Sequence, residues 1–592
     1  MDKESQKMIR AGVLRWIVLA GALFWTACVA SAAEPAGATT ATLDRVEFLM
    51  PLEGFGVQAH RYRISARLTF SAPVTGRIVK ATVNDAEVFT AEQRPPQPLI
   101  DTFDAGRQHV GGEALDGARE AYVQFYRDWK TGEQYVVGVT VRTDDGQAIS
   151  CQSQPATAPA GGAIEVPLPR FKVLKLTETA ALARKGWPVI APVLLDAAEL
   201  GNPETDMALV LCDVRARTYA QVPFQVLGIT EPAYVAENAG KAQDQPGARL
   251  AELCFLADLD AHGQAAYLLY YGRPGAAVQK PAVTGPQLQY RADPEGLFVD
   301  TGPAAFRFDP ASGQLLSYVP KLAGVSEEMR FVQKVPRPVH WNPDVWAPPS
   351  PWGHTSDWGQ GGAARPDLST AQGPICLRTV RTGTMPNSNG VRASVTYTLF
   401  AGMPFMLESS YVEFTAPTRV RAIRSNELVF SRGLHTHALW MDETGAVSTR
   451  PCYDPAEPRR FFGHVARMGP DVPWLALFHA ERGYGIGTVN LSRFSAAPAG
   501  GSTQDAGAYY YFLDYSEWGT GENFDMNFAY LCRAYFYGDA IIPKGAVYGE
   551  HSAVLVFKLD EGGDTFASVK RWADLLRAPA PKLEVLEGSS PQ

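Results

Sequence analysis

The sequence predicts an all-β protein: β-sandwich modules in series, then a larger set of packed antiparallel sheets and a short C-terminal helix. Three observations carry this reading. Period-two alternation dominates, as in Tyr62, Ile64, Ala66, Leu68 and Phe70 set between Arg61, Arg63, Ser65, Arg67 and Thr69. Turn signals recur at short spacing between strand-like runs. Helical periodicity is confined to the end of the chain, where Phe566, Val569, Ala573 and Leu576 share one face behind a capping Asp564.

The elements follow in order. Lys3, Lys7, Arg10 and Arg15 precede an apolar run from Trp16 to Ala30, and small residues surround Ala32. A charged start, a short apolar core and an A-x-A-like site predict a signal peptide over 1–33 and a soluble exported protein, periplasmic or secreted, with no transmembrane segment after cleavage. Thr26-Ala27-Cys28 offers lipid anchoring at Cys28 as the weaker alternative. Residues 43–168 read as an N-terminal β-sandwich, with a hairpin signal at Asp144-Asp145-Gly146 and a linker from Pro155 to Gly162. A second β-module spans 171–277, and its last strand stops at Tyr270-Tyr271-Gly272-Arg273-Pro274. Residues 287–560 hold many strand candidates, too many for one simple sandwich, and suggest large packed sheets. The helix is expected over 563–577, with 578–592 as a loose tail.

Bulk properties exclude several classes. The net charge is −8 with no long basic run, so nucleic acid is not an expected partner. After signal removal six cysteines remain, scattered and without a C-x-x-C pair, which argues against a zinc module or a disulfide-dense scaffold. Cys212 and Cys254 would pair only if neighbouring strands bring them together.

Four of the twelve tryptophans fall between His340 and Trp358: Trp341, Trp346, Trp352 and Trp358. Prolines break regular structure there and predict a stiff surface loop. A rigid indole beside Asp and His suits the apolar face and hydroxyl rim of a pyranose ring. The competing reading is that these rings pack onto the chain's own core.

The strand-turn-strand from Val299 through Phe306-Arg307-Phe308-Asp309 to Leu315, and the run Ile541 to Glu550, resemble the opening and closing strands of the β-supersandwich in galactose-mutarotase-like proteins. Thr177-Glu178-Thr179-Ala180 and Trp187-Pro188-Val189 resemble β-modules that precede the catalytic domain in exo-acting rhamnogalacturonan-lyase-like proteins. The resemblance covers roughly half the chain. It implies a β-supersandwich over 287–560 as the catalytic region and action on a polysaccharide or oligosaccharide. No helical toroid is visible in the sequence.

The residues then supply candidates. His354, between Trp352 and Trp358, suits a general acid or base. His435 and His437, two apart, would face one side of a strand, and His437 joins the proton-transfer candidates. No third ligand accompanies them, so no metal site is assigned; no cofactor is required, and a divalent metal stays an open alternative. Tyr515 would be a phenolic acid or base, while Glu517 and Glu522 would be the carboxylate pair of a glycoside hydrolase. Arg424 and Arg533 would grip a uronate carboxylate, with structural ion pairs as the plainer reading. Trp341, Trp346, Trp352 and Trp358 would meet sugar rings and Asp357 their hydroxyls. The expected function is an exported polysaccharide lyase cleaving an acidic, uronate-containing glycan by β-elimination. A glycoside hydrolase and a non-catalytic glycan-binding surface protein are the alternatives.

Overall fold

The computed structural model describes residues 38–588 except 92–98, 197–201, 204, 231–247, 274–277, 332, 335–336, 339, 432, 453–462, 499–500, 505–508 and 516–527. The signal-peptide segment, Cys28, Glu517 and Glu522 lie outside the described residues. The described chain is almost wholly antiparallel strand with one short C-terminal α-helix, Ala567–Arg577.

The N-terminal sheet has seven strands and is organised by the long strand Arg63–Val83. That strand pairs with Ala41–Leu49, Ala114–Phe125 and Val137–Thr143 along its length. Its alternation is only partly of the expected kind. Arg61, Arg63 and Ser65 are buried as well as Ile64 and Ala66. The Arg63 guanidinium is tolerated because it donates to the carbonyls of Met50, Glu53, Phe55 and Arg61. One apolar cluster joins Ile64, Leu68 and Val123 of this sheet to Val173, Val210 and Leu268 of the next unit, so the two units share a core.

The second unit has two sheets. The five-stranded sheet runs Thr218–Val222, Met207–Asp213, Gln264–Tyr271, Arg170–Thr177 and Lys582–Gly588; the three-stranded sheet runs Arg184–Asp196, Ala248–Leu259 and Gln225–Thr230. Leu174, Leu176, Val193, Leu209, Phe255 and Leu269 fill the space between them. The expected loose tail is therefore an edge strand. Residues 582–588 pair antiparallel with Arg170–Thr177, Phe171 opposite Gly588 and Thr177 opposite Lys582. Alternating charges hold the register, since Lys172 pairs with Glu587 and Lys175 lies 3.3 Å from Glu584.

The third region is a sandwich of a nine-stranded and a seven-stranded sheet, with a five-stranded sheet (residues 289–330) against one end. Leu377, Val395, Leu399 and Val554 of the nine-stranded sheet meet Leu428, Phe430 and Leu531 of the seven-stranded sheet and Phe306 and Phe308 of the smaller one. Val569 and Ala573 of the helix join a separate apolar cluster with Phe405, Val489 and Leu555 of the nine-stranded sheet.

Candidate functional site

The proline-rich segment is a sheet edge more than a loop. Asp344–Trp346 and Trp352–His354 form a hairpin, and Asp344–Trp346 also pairs with the strand Thr418–Ser431. Pro348, Pro349 and Pro351 fall between these two short strands and Pro343 just before the first, where no ladder donor is required of them. Gly353 is obligatory: a Cβ there would lie 2.2 Å from Ser388 Oγ and 2.4 Å from the Pro386 carbonyl.

Register decides what faces where. Asp344 stands opposite both His354 and Arg424, and Trp346 opposite Trp352. Val345 and Ile423 enter the apolar cluster shared with Val391, Val412 and Phe414 of the nine-stranded sheet. Asp344, Trp346, Trp352, His354 and Arg424 therefore take the other face. There the Trp346 and Trp352 rings stack at 5.5 Å, and Trp352 lies parallel to the His354 imidazole at 6.1 Å. Arg424 sits 4.0 Å over the Trp352 ring and Arg421 5.5 Å over Trp346. These rings are half-buried and already stacked on protein groups, so the expected bare indole platform is instead a ladder of aromatic rings and guanidinium groups.

Four ionisable side chains meet on this face. Arg424 donates to both oxygens of Asp344, with Nε 3.2 Å from Oδ1. Arg424 Nη1 lies 3.1 Å from Glu427 Oε1 and 3.3 Å from the Tyr537 hydroxyl. His354 Nδ1 lies 3.5 Å from Asp344 Oδ2. Exposure separates the four into two layers: Asp344 and Glu427 are 0% exposed, while Arg424 and His354 keep 7% and 8%. Burial pushes both carboxyls up, with opposite results. Arg424 and His354 outweigh it for Asp344, which is held below the ordinary carboxylate range. For Glu427 burial wins over Arg424, and the neighbouring Asp344 adds to it, so Glu427 is held well above that range.

A second polar layer anchors the hairpin. Asn342 Oδ1 accepts from Ser425 Oγ at 2.6 Å and from the Asn426 N–H at 3.0 Å, and its amide donates to Glu408 of the nine-stranded sheet. Thr355 Oγ1 donates to the Asn342 carbonyl at 2.7 Å. Asn426 takes a left-handed backbone with φ 56°, and at this irregularity Asn426 turns to donate to Thr488 while Glu427 comes beside Arg424.

The other expected site residues are dispersed. Trp358 is 1% exposed and packs in the core, its indole N–H donating to the Thr384 carbonyl at 2.8 Å; it is a structural ring and not a sugar platform. Asp357 is buried in the turn that precedes it. Arg533 is 0% exposed between the sheets, where Nε is 3.0 Å from Glu550 and Nη2 meets Tyr510, so it serves the interior and not a substrate. His437 lies on the nine-stranded sheet, stacked on Phe478 at 5.1 Å, and is not on the sheet that carries His354. Trp341 and Tyr515 are placed by backbone pairing alone, opposite Glu427 and Phe528.

His435 does not share a strand with His437, which begins its own strand. It is buried 2.8 Å from the Tyr318 hydroxyl. Burial, with a smaller push from His479, drives its pKa down to about 3. The folded protein therefore keeps His435 neutral while an unfolded histidine binds a proton near pH 6.5. Stability from this group is complete above that pH and is lost as pH falls from about 6.5 towards 3, by about 1.4 kcal/mol per unit. His435→Gln is expected to flatten that part of the stability profile, as measured by urea unfolding between about pH 6 and 4.

Neither Asp344 nor Glu427 is among the site residues expected from the sequence. The signal was the polar run Arg424-Ser425-Asn426-Glu427 inside an apolar strand, between Ala422-Ile423 and Leu428-Val429-Phe430. Four polar residues in a buried strand need partners.

No protein-family model matches this chain, and no curated protein matches it. Solved structures do. A glycosyl hydrolase family 38 protein from Enterococcus faecalis is 11% identical over 71% of this chain and 48% of its own, with a TM-score of 0.40. A galactose 1-epimerase from Lactobacillus acidophilus NCFM is 9% identical over 46% of this chain and 99% of its own, with a TM-score of 0.28. A GH36 alpha-galactosidase from Geobacillus stearothermophilus is 8% identical over 46% of this chain and 41% of its own, with a TM-score of 0.26. The chain spans about half the length of the Enterococcus faecalis protein. Galactose-mutarotase-like proteins are thus among the structural neighbours, while the resemblance to rhamnogalacturonan lyases rests on sequence motifs alone. At these identities and scores the likeness carries no statement about activity.

Proposed function

We propose that this protein is a carbohydrate-active enzyme that cleaves an acidic glycan by β-elimination on the face formed by His354 and Arg424. The observation that carries the reading is the two-layered cluster: His354 and Arg424 keep a thin exposed edge above the fully buried carboxyls, and both are held from behind by Asp344. In this scheme Arg424 meets the uronate carboxylate. His354, with Nδ1 turned toward Asp344, takes the C5 proton on Nε2. The electron pair forms the C4–C5 double bond, the C4–O bond breaks, and the half-exposed Tyr537 phenol beside Arg424 protonates the departing oxygen. The raised Glu427 carboxyl matters to charge, because every step toward its neutral form lessens the repulsion that an incoming carboxylate meets. Export, proposed from the N-terminal sequence, would place such an enzyme where glycans are met.

The test is incubation with a panel of acidic glycans, following unsaturated-uronate absorbance and reducing ends together. Both signals rising supports elimination. Reducing ends alone would move the chemistry to hydrolysis, and glycan retention with neither signal would make this a binding protein.

A further inference from the structure

The second unit meets the nine-stranded sheet through a short strip of matched side chains. Gln225 stands opposite Cys254 within the three-stranded sheet. Its side-chain amide reaches across to Cys376, donating to the carbonyl at 2.9 Å and accepting from the N–H at 3.1 Å. Two residues away on each strand, Arg378 Nη1 lies 2.8 Å from Glu252 Oε2. Residues two apart on a strand share a face, so Glu252 and Cys254 look toward Arg378 and Cys376. Cys254 and Cys376, both thiols in this structure, therefore lie on the facing sides of this strip. Both are 0% exposed and sit in one apolar cluster with Ile375, Phe400 and Phe405. The expected partner of Cys254 is elsewhere: Cys212 lies on the five-stranded sheet, in the apolar cluster shared with the N-terminal sheet.

We propose that Cys254 and Cys376 are a disulfide pair that staples the second unit to the nine-stranded sheet. The oxidant is a small or protein disulfide. One thiolate attacks it, forming a mixed disulfide and releasing one thiol of the oxidant. The second thiolate then attacks the mixed disulfide, closing the Cys254–Cys376 bond and releasing the other thiol. Two electrons pass to the oxidant, and the two thiol protons end on its two released thiols. Because both sulfurs are sealed in the docked protein, the exchange takes place as the two units come together, and the finished bond is then shielded from reductants. The strip explains why this pair and not another: the Gln225 clamp on Cys376 and the Glu252–Arg378 ion pair two residues along hold the two strands against each other where the cysteines sit.

The full chain, refolded once in a mixture of reduced and oxidised glutathione and once under strong reductant, tests this. Each sample is denatured, alkylated, digested and mapped by mass. The oxidised sample is expected to yield one peptide pair linked through Cys254 and Cys376, with alkylation lost at those two cysteines only, and a melting midpoint several degrees above the reduced sample. Cys254→Ala should leave Cys376 alkylated and remove the sensitivity of the midpoint to reductant. Full alkylation of both cysteines in the oxidised sample, or linkage of either to a different cysteine, overturns the assignment. The peptide map of the parent decides the question even where the variant fails to fold.

Discussion

His354→Gln is expected to lower the rate of unsaturated-uronate formation by about 10²- to 10⁴-fold, the usual contribution of a positioned acid–base group. The melting midpoint should stay close to that of the parent. Asp344 keeps its two bonds from Arg424 when the imidazole is removed. The remaining polar supports of the hairpin, from Asn342 to Ser425 and Glu408, do not involve His354. Initial rates on the best substrate of the glycan panel and a thermal melt measure both quantities. An unchanged rate in a folded variant would move the chemistry away from this face.

Arg533→Met is expected to do the reverse. Removing one member of a buried ion pair leaves the other charged and unsolvated, at a cost of about 3–5 kcal/mol. Glu550, 1% exposed, would lose its cationic partner, and Tyr510 a donor. The loss should be read as a lower urea midpoint with an unchanged dependence on denaturant. The fraction that remains folded should eliminate at the parental rate. A folded Arg533→Met protein with a selectively weakened affinity for acidic glycan would show that the interior arginine communicates with substrate after all.

These two arginines show what the sequence can and cannot separate. Arg424 and Arg533 both sit in apolar strands and both pair with glutamates. Which one reaches the surface depends on the strand's facing and on the irregular register around Asn426, and neither is encoded in composition. The same holds for the tryptophans. Trp352 and Trp358 are six residues apart in one proline-rich segment, yet one lines the face with His354 while the other fills the core. Periodicity identifies a buried face only in an unbroken strand, and prolines reset it here. The long strands were legible because their alternation runs uninterrupted for many residues, as in Val391–Phe400, where Val391, Ala393, Val395 and Tyr397 are all buried. The helix was legible from its apolar stripe. The final strand was not: Lys582-Leu583-Glu584-Val585 alternates, but in a short charged segment that alternation is indistinguishable from a solvated tail.

The pairing of Arg170–Thr177 with Lys582–Gly588 has a consequence for how the molecule is made. Opposing residues such as Lys172 and Glu587 are separated by 415 positions, so the second unit presents an open sheet edge until residues 582–588 have been made. An unpaired edge invites association with other chains, and closing it late is an ordering of events rather than a local preference. Residues 582–588 act as a clasp that cannot fasten before everything between has been made. A variant lacking residues 582–588 would release that clasp permanently, leaving the nascent-like, adhesive form as its end state.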